Sequence, residues 1–573
     1  MVSSIQKRKA ESEPDCHKSG HRKNRQSTLA KKYRVYASVS FAVLLLGIGV
    51  PLWWHTTTVP RVTLPYTGID ELSKLDIKIT TKITVAALSH NRAESLAHEI
   101  RRTFENAEIY QLNVEYQIIS NNLLASALTY HELEKVASTF DLDVGDLLLL
   151  EATNLNDAVL VGSKRTLYFS TETSISTLIQ VLSEWILRDK SLALTKNALA
   201  EPTMYSLDEE NRRRFPASLA YDVLVTLVNP DPEKLKIVWD LKTVTEKYVQ
   251  PFLDELSILS NFSIKSQWLY LLPLDMNPRR VPDSSPSRRH FALRENVLPQ
   301  LVTPLEKKLA SQVSLHPCIN LVVYMVPCDN APLHIYTRSG HRSRTDSNVE
   351  AFLSPRWGGV ILINPSSEVC ENARENEAVT LVPEETAIVG TFLAQLRLLL
   401  GIPEMKSING VTAVPLVGLK SRDWEIDSLL RYRTVEQLTS AKLTLQSLAR
   451  LLKEISNIVI TDVVGNRIKT ALGLVHESAE HLQRGDLKRS FILSKEAFII
   501  SEAAFSDPTL LALLYFPEDQ KYAVYIPLFL PAMIPVLLSL KNIRRYYFPG
   551  KDNTEKKIDL KESKNDEDNR LKN

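Results

Sequence analysis

The stretch VYASVSFAVLLLGIGVPLWW, residues 35–54, contains no charged residue and decides how the rest of the chain is arranged. A helix of this length rises about 30 Å, which matches the hydrocarbon thickness of a bilayer. Trp53 and Trp54 end the stretch as an aromatic pair of the kind that marks a membrane interface. The stretch is longer than the apolar part of a signal peptide and lacks a cleavage site with small residues. We therefore predict a transmembrane helix over residues 35–54 that remains as an anchor.

A second apolar stretch, YAVYIPLFLPAMIPVLLSL, occupies residues 522–540. Basic residues flank the outer end of each stretch: Lys31, Lys32 and Arg34 before the first, and Lys541, Arg544 and Arg545 after the second. The positive-inside rule then places both termini in the cytosol, with a basic segment at 1–34 and a charged tail at 541–573. Residues 55–521 lie on the other side, in the lumen. The alternative, two buried core helices, is disfavoured because neither stretch has the polar face that such a helix usually shows.

Short β-branched runs alternate with helical patterns through the first part of the lumenal region. The strand-like runs are Ile83–Ala87, Val114–Ile119, Leu147–Leu150, Ile319–Tyr324 and Val360–Ile363. The helix-like stretches are Glu94–Phe104, Ile175–Leu187 and Pro232–Val249. Such alternation is typical of a layered α/β domain with a mixed or mostly parallel sheet. We therefore predict a lumenal α/β domain over residues 55–424.

Residues 425–521 show helical periodicity instead of alternation. Apolar residues step by three and four along two stretches: Leu438, Ala441, Leu445, Leu448, Leu452 and Ile455, then Ile468, Leu472, Val475, Ala479 and Leu482. Gly485 is placed to end the second helix, and Asp486 to cap a third. The third helix carries Leu487, Phe491, Phe498 and Phe505 on one side. We predict a helical stalk or bundle near the membrane, whose apolar stripes pack within this chain or partly contact partner subunits.

Three of the four cysteines lie in the lumenal region, and Cys16 lies in the basic N-terminal segment. Cys318 and Cys328 bracket a run predicted as a strand. Ten extended residues span about 33 Å, whereas a disulfide needs Cα atoms within about 7 Å, so these two are not expected to pair. Buried, unpaired thiols are the favoured interpretation. A single disulfide involving Cys370 is the alternative.

The sequence offers little support for an enzyme. With 17 glycines in 573 residues and neither a GxGxxG motif nor a P-loop, it predicts no nucleotide cofactor. His476 and His481 are five residues apart and diverge by about 140° around a helix, whereas a zinc motif needs both on one face. His316 and Cys318 have the residue types of a Cys–His nucleophile, but no cysteine-protease signature surrounds them. We predict no catalytic residue, no cofactor and no metal site, and the net charge of +2 gives no reason to expect nucleic acid.

Three other features indicate interaction and placement. Pro527, Pro531 and Pro535 recur every four residues in the second stretch and free helical carbonyls that neighbouring helices would satisfy, although a kinked lone anchor is the alternative. Lys31 and Arg34 lie where anionic lipid headgroups bind basic residues, although the topology signal explains the same residues. Asn261 begins the sequon Asn-Phe-Ser, which predicts N-glycosylation if the region is lumenal.

Several short strings resemble the PIG-S family of GPI transamidase subunits, in one order along nearly the whole chain. They are GVPLWW (49–54), LPY (64–66), NPDP (229–232), YVQPFL (248–253), NFS (261–263), SPRWGG (354–359), SNIVI (456–460), LYFP (514–517) and YIPLFLP (525–531). The resemblance implies a non-catalytic subunit of the endoplasmic-reticulum complex that attaches GPI anchors, with the catalytic cysteine on another subunit, PIG-K. It also implies PIG-T, PIG-U and the GPI-anchor attachment protein as partners, a lipid contact at Lys31 and Arg34, and a glycan on Asn261. The alternative hypothesis is a lumenal hydrolase or transferase anchored at both ends.

Overall fold

The computed structural model describes residues 20–57, 60–120, 127, 129–273, 278–281, 290–342, 349–374, 378–416, 420–455, 458–512 and 518–547. The chain divides into two units. The first is drawn from Met1–Thr63, Leu452–Gly465 and Asp507–Asn573, and the second from Leu64–Leu451 and Asn466–Ser506. The first unit holds the predicted membrane helices, and the second holds the sheets.

The described helices and strands follow in chain order. The α-helices are α1 (Gly20–Leu44), α2 (Val50–Thr57), α3 (Tyr66–Glu71), α4 (His90–Thr103), α5 (Tyr130–Ala137), α6 (Ile175–Val181), α7 (Asp189–Ala200), α8 (Glu209–Arg213), α9 (Leu241–Val244), α10 (Gln250–Glu255), α11 (Leu298–Glu306), α12 (Ser367–Arg374), α13 (Glu385–Leu400), α14 (Asp423–Glu454), α15 (Asp462–Arg484), α16 (Leu487–Phe505), α17 (Thr509–Ala512) and α18 (Glu518–Tyr547). The strands are β1 (Ile79–Ala87), β2 (Tyr110–Ile118), β3 (Leu147–Ala152), β4 (Val159–Val161), β5 (Thr166–Ser170), β6 (Ala220–Asn229), β7 (Leu235–Ile237), β8 (Asn261–Tyr270), β9 (Arg279–Val281), β10 (His290–Arg294), β11 (Cys318–Met325), β12 (Leu333–Tyr336), β13 (Val349–Ser354), β14 (Gly358–Ile363), β15 (Val379–Leu381) and β16 (Val411–Ala413). Single π-helical segments follow α1, α6 and α9 at Leu45–Gly49, Leu182–Leu187 and Thr245–Val249.

Two larger sheets form the core of the second unit, and they share one topology. The first has the order β16-β4-β5-β3-β1-β2, and the second has the order β13-β14-β11-β6-β8. Five strands correspond when they are taken in chain order: β1 to β5 in the first sheet, and β6, β8, β11, β13 and β14 in the second. In each sheet the first of these strands lies between the second and the third. The fifth pairs in parallel with the third, and the fourth pairs antiparallel with the fifth. We call residues 79–200 the first repeat and residues 220–400 the second repeat. The chain therefore contains two copies of one α/β unit.

The second repeat carries additional strands. A three-stranded sheet has the order β12-β10-β9, and β7 pairs in parallel with β15. Strands β9 and β10 lie in the chain between β8 and α11, and β12 lies between β11 and β13. In the described part of the first repeat no strand occupies the equivalent positions. The additional three-stranded sheet therefore distinguishes the two repeats.

Most predicted strands and helices are confirmed. The five strand-like runs fall on β1, β2, β3, β11 and β14, although Val114–Ile119 runs one residue past β2. The prediction of one helix over Pro232–Val249 is wrong in its first part, because Leu235–Ile237 is strand β7. The side chain of Asn229 donates to the carbonyl of Leu235 at 2.7 Å and folds this segment back. The helix begins only at Leu241, where Asp240 accepts a hydrogen bond from the backbone of Thr243.

The three helices expected after residue 425 are present as α14, α15 and α16. Gly485 has φ +92°, the left-handed conformation that ends α15, and the Asp486 side chain caps α16 by accepting from the backbone N–H of Arg489 at 3.0 Å. Leu438, Ala441, Leu445 and Leu448 are fully buried, as the stripe predicts. Phe505 is 46% exposed, so the third stripe does not extend to the end of α16. The boundaries of the predicted domains remain a prediction.

The first turns of α14 are buried on every side although they carry many charges. Glu425 and Asp427 have no exposed surface. Glu425 accepts from Arg422 at 2.8 Å and from Arg397 of α13, in the second repeat, at 2.6 Å. Asp427 accepts from two nitrogens of Arg165, in the first repeat, at 2.6 and 3.0 Å. Both repeats therefore hold this part of α14 by buried ion pairs.

Further contacts extend the same pattern along α14. Trp424 Nε1 donates to the carbonyl of Gly162, and Arg431 donates to that of Gly145, both in the first repeat. Arg433 donates to the hydroxyl of Tyr221 on β6 in the second repeat. Burial opposes ionisation of Glu436, but Arg214 and Arg433 outweigh it and lower the pKa of this carboxyl below its usual range. Helix α14 therefore links the two repeats through polar contacts as well as apolar packing.

Replacing Asp427 by Asn should destabilise the second unit, because Arg165 would keep its charge in a largely buried position and lose its hydrogen-bonded carboxylate, retaining only the longer contact with Asp423 at 3.8 Å. Breaking a buried ion pair from one side costs about 3–5 kcal/mol. We expect Asp427→Asn to lower the midpoint of thermal unfolding, followed by tryptophan fluorescence of the full chain in detergent, by several degrees. The control is Glu477→Gln, because Glu477 pairs with Arg489 at the surface at 3.9 Å and exposed pairs contribute about 1 kcal/mol or less. Equal midpoints for the two variants would contradict the role assigned to Asp427.

Candidate functional site

In the part of the chain that the structure describes, one helix, Lys32–His55, is long and apolar enough to cross a membrane. It is formed by α1, the π-helical segment and α2. Only 11% of its most apolar window is buried. Leu44, Ile48 and Leu52 are each more than 60% exposed, which is typical of a helix that faces lipid and not of a core helix. This first predicted span is therefore a candidate membrane helix.

The predicted second span lies within α18, which continues through all three of its prolines. Pro527, Pro531 and Pro535 are exposed on this helix. A different face of α18 packs on the first helix, because the Trp53 ring lies 6.0 Å from Tyr525 and 5.5 Å from Phe529, centroid to centroid. The proline stripe is therefore not used for packing between these two helices. That α18 crosses a membrane remains a prediction.

An apolar groove of about 330 Å³ lies between the same two helices. Leu45, Gly49 and Trp53 line one side, and Ile526 and Met533 lie on the other. At the other end of the first helix, Lys32 and Arg34 are exposed on α1. The side chain of Lys31 lies outside the described residues. The predicted headgroup contact at Lys31 and Arg34 therefore remains a prediction.

Asn261 is the first residue of β8, the edge strand of the second sheet. It is exposed, as is Ser263 of its sequon. The backbone N–H of Asn261 donates to the carbonyl of Leu219, which fixes the main chain and leaves the side chain at the surface. This position is accessible to a glycosylating enzyme.

The favoured interpretation of Cys318, Cys328 and Cys370 as unpaired thiols is wrong for two of them. Cys328 and Cys370 form a disulfide with a Cα–Cα distance of 5.3 Å. The alternative, one bridge involving Cys370, is correct, as is the expectation that Cys318 and Cys328 do not pair. The preference for thiols failed because it rested on an odd cysteine count, whereas α12 brings Cys370 beside the segment that follows β11.

Cys318 is free and half-buried at the start of β11. Burial and, to a smaller extent, the carboxylate of Asp222 raise the pKa of its thiol to about 11. A thiol with this pKa is almost wholly protonated at neutral pH and is a poor nucleophile. The cysteine of the suspected His316–Cys318 pair therefore lacks the activation that a nucleophile needs.

The carboxyl ends of parallel strands, where α/β proteins usually bind ligands, are occupied by structural contacts in both repeats. Between β1 and β3, Glu151 is 2% exposed, accepts from the backbone of Leu88 at 2.7 Å and lies 2.9 Å from Arg92. At the end of β6, Asn229 is 2% exposed and bonds to its own loop. These polar groups are committed to holding loops.

One cleft was missed by sequence reasoning. It lies on the three-stranded sheet of the second repeat, has a volume of about 720 Å³, and is lined by Arg279, Arg280, Arg294 and Arg338 together with Glu295 and Tyr336. The four arginines come from three separate segments of the chain. The doublet Arg279–Arg280 is the only part of this pattern that adjacent positions in the sequence could have indicated.

These features define a class of protein: an α/β protein with a candidate membrane helix, whose polar centres serve packing. The family model for "PIG-S: Phosphatidylinositol-glycan biosynthesis class S protein" matches residues 40–549. The chain is 35% identical to the human "GPI-anchor transamidase component PIGS" over 542 residues, which cover 88% of this chain and 94% of the human protein. It is 34% identical to the rat protein of the same name, with the same coverage, and 25% identical to the Schizosaccharomyces pombe "GPI transamidase component PIG-S homolog" over 89% of this chain and 83% of that protein. The chain belongs to the PIG-S family.

The raised pKa of Cys318 predicts that its thiol is alkylated slowly at neutral pH. In a Cys16→Ser background, Cys318 is the free thiol that remains beside the Cys328–Cys370 disulfide, and only its thiolate form is alkylated. We expect iodoacetamide to modify it slowly at pH 7.5 and faster with each rise in pH towards its pKa of about 11. Intact-mass spectrometry of the folded chain measures the rate, with glutathione as the exposed reference thiol. A rate at pH 7.5 that equals or exceeds that of glutathione would show that this thiol is activated.

Proposed function

We propose that this chain is a non-catalytic structural subunit of the endoplasmic-reticulum GPI transamidase complex. In this role it supports transfer of preassembled GPI anchors to the C-termini of precursor proteins. The observation that carries the proposal is the collinear similarity, over 88% of the chain, to proteins named as components of that transamidase. The alternative, a lumenal hydrolase or transferase anchored at both ends, has no comparable support.

The non-catalytic role is supported by the state of the reactive residue types in the second unit. The disulfide occupies Cys328 and Cys370, and the raised pKa keeps Cys318 protonated. The buried Glu151 lies beside Arg92 at the place where a ligand would bind. Groups that catalysis would use are thus engaged in structure, and the catalytic cysteine is expected on another subunit, PIG-K.

The proposed topology places both termini in the cytosol and residues 55–521 in the lumen, with spans at 35–54 and 522–540. A disulfide is favoured by the oxidising lumen of the secretory pathway, which supports this placement. The exposed sequon at Asn261 fits the same side. The proposed partners are PIG-K, PIG-T, PIG-U and the GPI-anchor attachment protein, together with membrane phospholipid at Lys31 and Arg34.

Affinity capture tests both the assembly and the role of the proline stripe. We expect the full chain, solubilised in mild detergent, to recover the other transamidase subunits. Replacing Pro527, Pro531 and Pro535 by Leu should reduce that recovery several-fold, because a proline-bearing span needs neighbouring helices to satisfy its freed carbonyls. Mass spectrometry of the captured proteins is the measurement.

The matched control replaces Leu530, Ile534 and Leu538 by Val. These residues recur at the same spacing on α18 and are each at least 50% exposed, and the control keeps every proline. Full recovery of the other subunits with both triple variants would show that the proline stripe is not needed for assembly and that α18 is a simple anchor. A wild-type chain that migrates alone and still turns over a substrate would overturn the subunit proposal itself.

Glycosylation at Asn261 tests the lumenal placement. We expect peptide-N-glycosidase treatment to increase the mobility of the wild-type chain on denaturing gels, and to leave Asn261→Gln and Ser263→Ala unchanged. Ser263→Thr is the matched control, because it alters the same exposed position but keeps the sequon. An unmodified wild-type chain from secretory cells would contradict the proposed topology.

A further inference from the structure

The additional three-stranded sheet is the place where the second repeat differs most from the first. Both repeats share five strands in one order, so the shared frame needs no further sheet for its core. Strands β9, β10 and β12 nevertheless form an ordered sheet with parallel and antiparallel pairing. The basic cleft lies on this sheet. An addition to a repeated frame that also carries the cleft is a natural place for a binding site.

The strand register brings two arginines and a tyrosine to one face. Arg279 lies opposite Ala292, and Arg294 lies opposite Tyr336. Because Ala292 and Arg294 are two positions apart on β10, their side chains point to the same side of the sheet. Arg279, Arg294 and Tyr336 therefore share a face, although they come from three different strands.

Two more arginines complete the cleft. Arg280 follows Arg279, and Arg338 lies just after β12. The backbone N–H of Arg338 donates to the carboxylate of Glu295 at 3.3 Å, which holds the loop after β12 beside the end of β10. Four arginines and one glutamate are thus among the described lining residues of the cleft, with the side chain of Arg280, next to Arg279 on β9, directed to the opposite face of the strand. Within the described part of the chain, none of the four guanidinium groups forms an ion pair with an acidic side chain.

Polar contacts between side chains join the strands next to the cleft. The hydroxyl of Tyr336 lies 2.7 Å from Nε2 of His290, and the two rings are stacked with an interplanar angle of 3°. The His290 ring lies 5.4 Å from that of His334, whose Nδ1 is 2.9 Å from the buried carboxylate of Glu350. These contacts join β10, β12 and β13. A site of this kind is preorganised, which lowers the cost of binding.

We propose that this cleft binds a phosphate group. A guanidinium presents two parallel donors that match two phosphate oxygens, and several guanidinium groups in one cleft repel each other until a multiply charged anion lies between them. The phosphate belongs either to a soluble phosphoester or to a lipid headgroup, and the volume of about 720 Å³ accommodates either. This site is independent of the proposed assembly, so failure of one proposal leaves the other standing.

Titration of the full chain in a neutral detergent tests the site, with 0.15 M salt to screen unspecific attraction. Pyrophosphate is the soluble probe, and dihexanoyl phosphatidic acid, below its micelle concentration, is the lipid probe. Dihexanoyl phosphatidylcholine is the zwitterionic reference. Calorimetry measures each affinity. Tighter binding of pyrophosphate identifies a soluble phosphate, and tighter binding of the phosphatidic acid identifies a headgroup.

The variant Arg279→Gln with Arg294→Gln should weaken binding of the preferred probe by about tenfold or more, because each lost guanidinium removes charge-assisted hydrogen bonds to the phosphate. The matched control is Lys307→Gln with Lys308→Gln, which removes the same charge at exposed positions outside the cleft and should change affinity by less than about twofold at this ionic strength. Arg279→Lys with Arg294→Lys keeps the charge and should give intermediate affinity. Unchanged thermal unfolding verifies that each variant folds. The proposal is overturned if neither probe binds, or if the arginine variant and the lysine control lose affinity equally.

Discussion

The ion pairs that surround the first turns of α14 are the constraint on which the second unit depends. Removing Glu425 and Asp427 from water is unfavourable by several kcal/mol per ion unless each carboxylate meets a partner with good geometry. Arg397 of the second repeat and Arg165 of the first supply those partners. Because the partners come from different repeats, neither repeat alone can bury this part of the helix. The charges therefore specify one arrangement of the two repeats, which apolar packing alone would define less sharply.

Polar side chains also make structural contacts at the carboxyl ends of the parallel strands. In many α/β proteins the loops at the carboxyl ends of parallel strands leave polar side chains free for a ligand. In this chain Glu151 is buried beside Arg92, and Asn229 holds its own loop. The fold is one that often carries catalysis, but its residues at those places hold loops. This use of polar side chains supports the structural role proposed for the chain.

Local pattern predicted the elements well and their assembly poorly. Runs such as Leu147–Leu150 and the stripe through Leu438 and Leu445 report burial directly, and the structure confirms both. The sequence pattern did not reveal the duplication. Periodicity shows that β1 and β6 are apolar, but it does not show that they hold equivalent positions in two sheets of the same strand order. Asp423–Glu436 carries many charges and was not predicted to be buried; it is buried because its partners lie more than two hundred residues away or on another helix. The disulfide was only the less favoured alternative and the arginine cleft was missed for the same reason: strand register and helix placement, rather than spacing along the chain, bring their members together.

The two units show opposite uses of surface. In the second unit, charged side chains such as Glu425 and Asp427 are buried and paired, which suits a domain folded in water. In the first, Leu44, Ile48 and Leu537 are largely exposed, which water would disfavour by about 25 cal/mol for each Å² of apolar surface. Lipid removes that penalty, but it cannot hydrogen-bond the carbonyls that Pro531 and Pro535 leave free. Apolar exposure thus supports the membrane placement proposed for these helices, and the freed carbonyls are the reason to propose neighbours for α18.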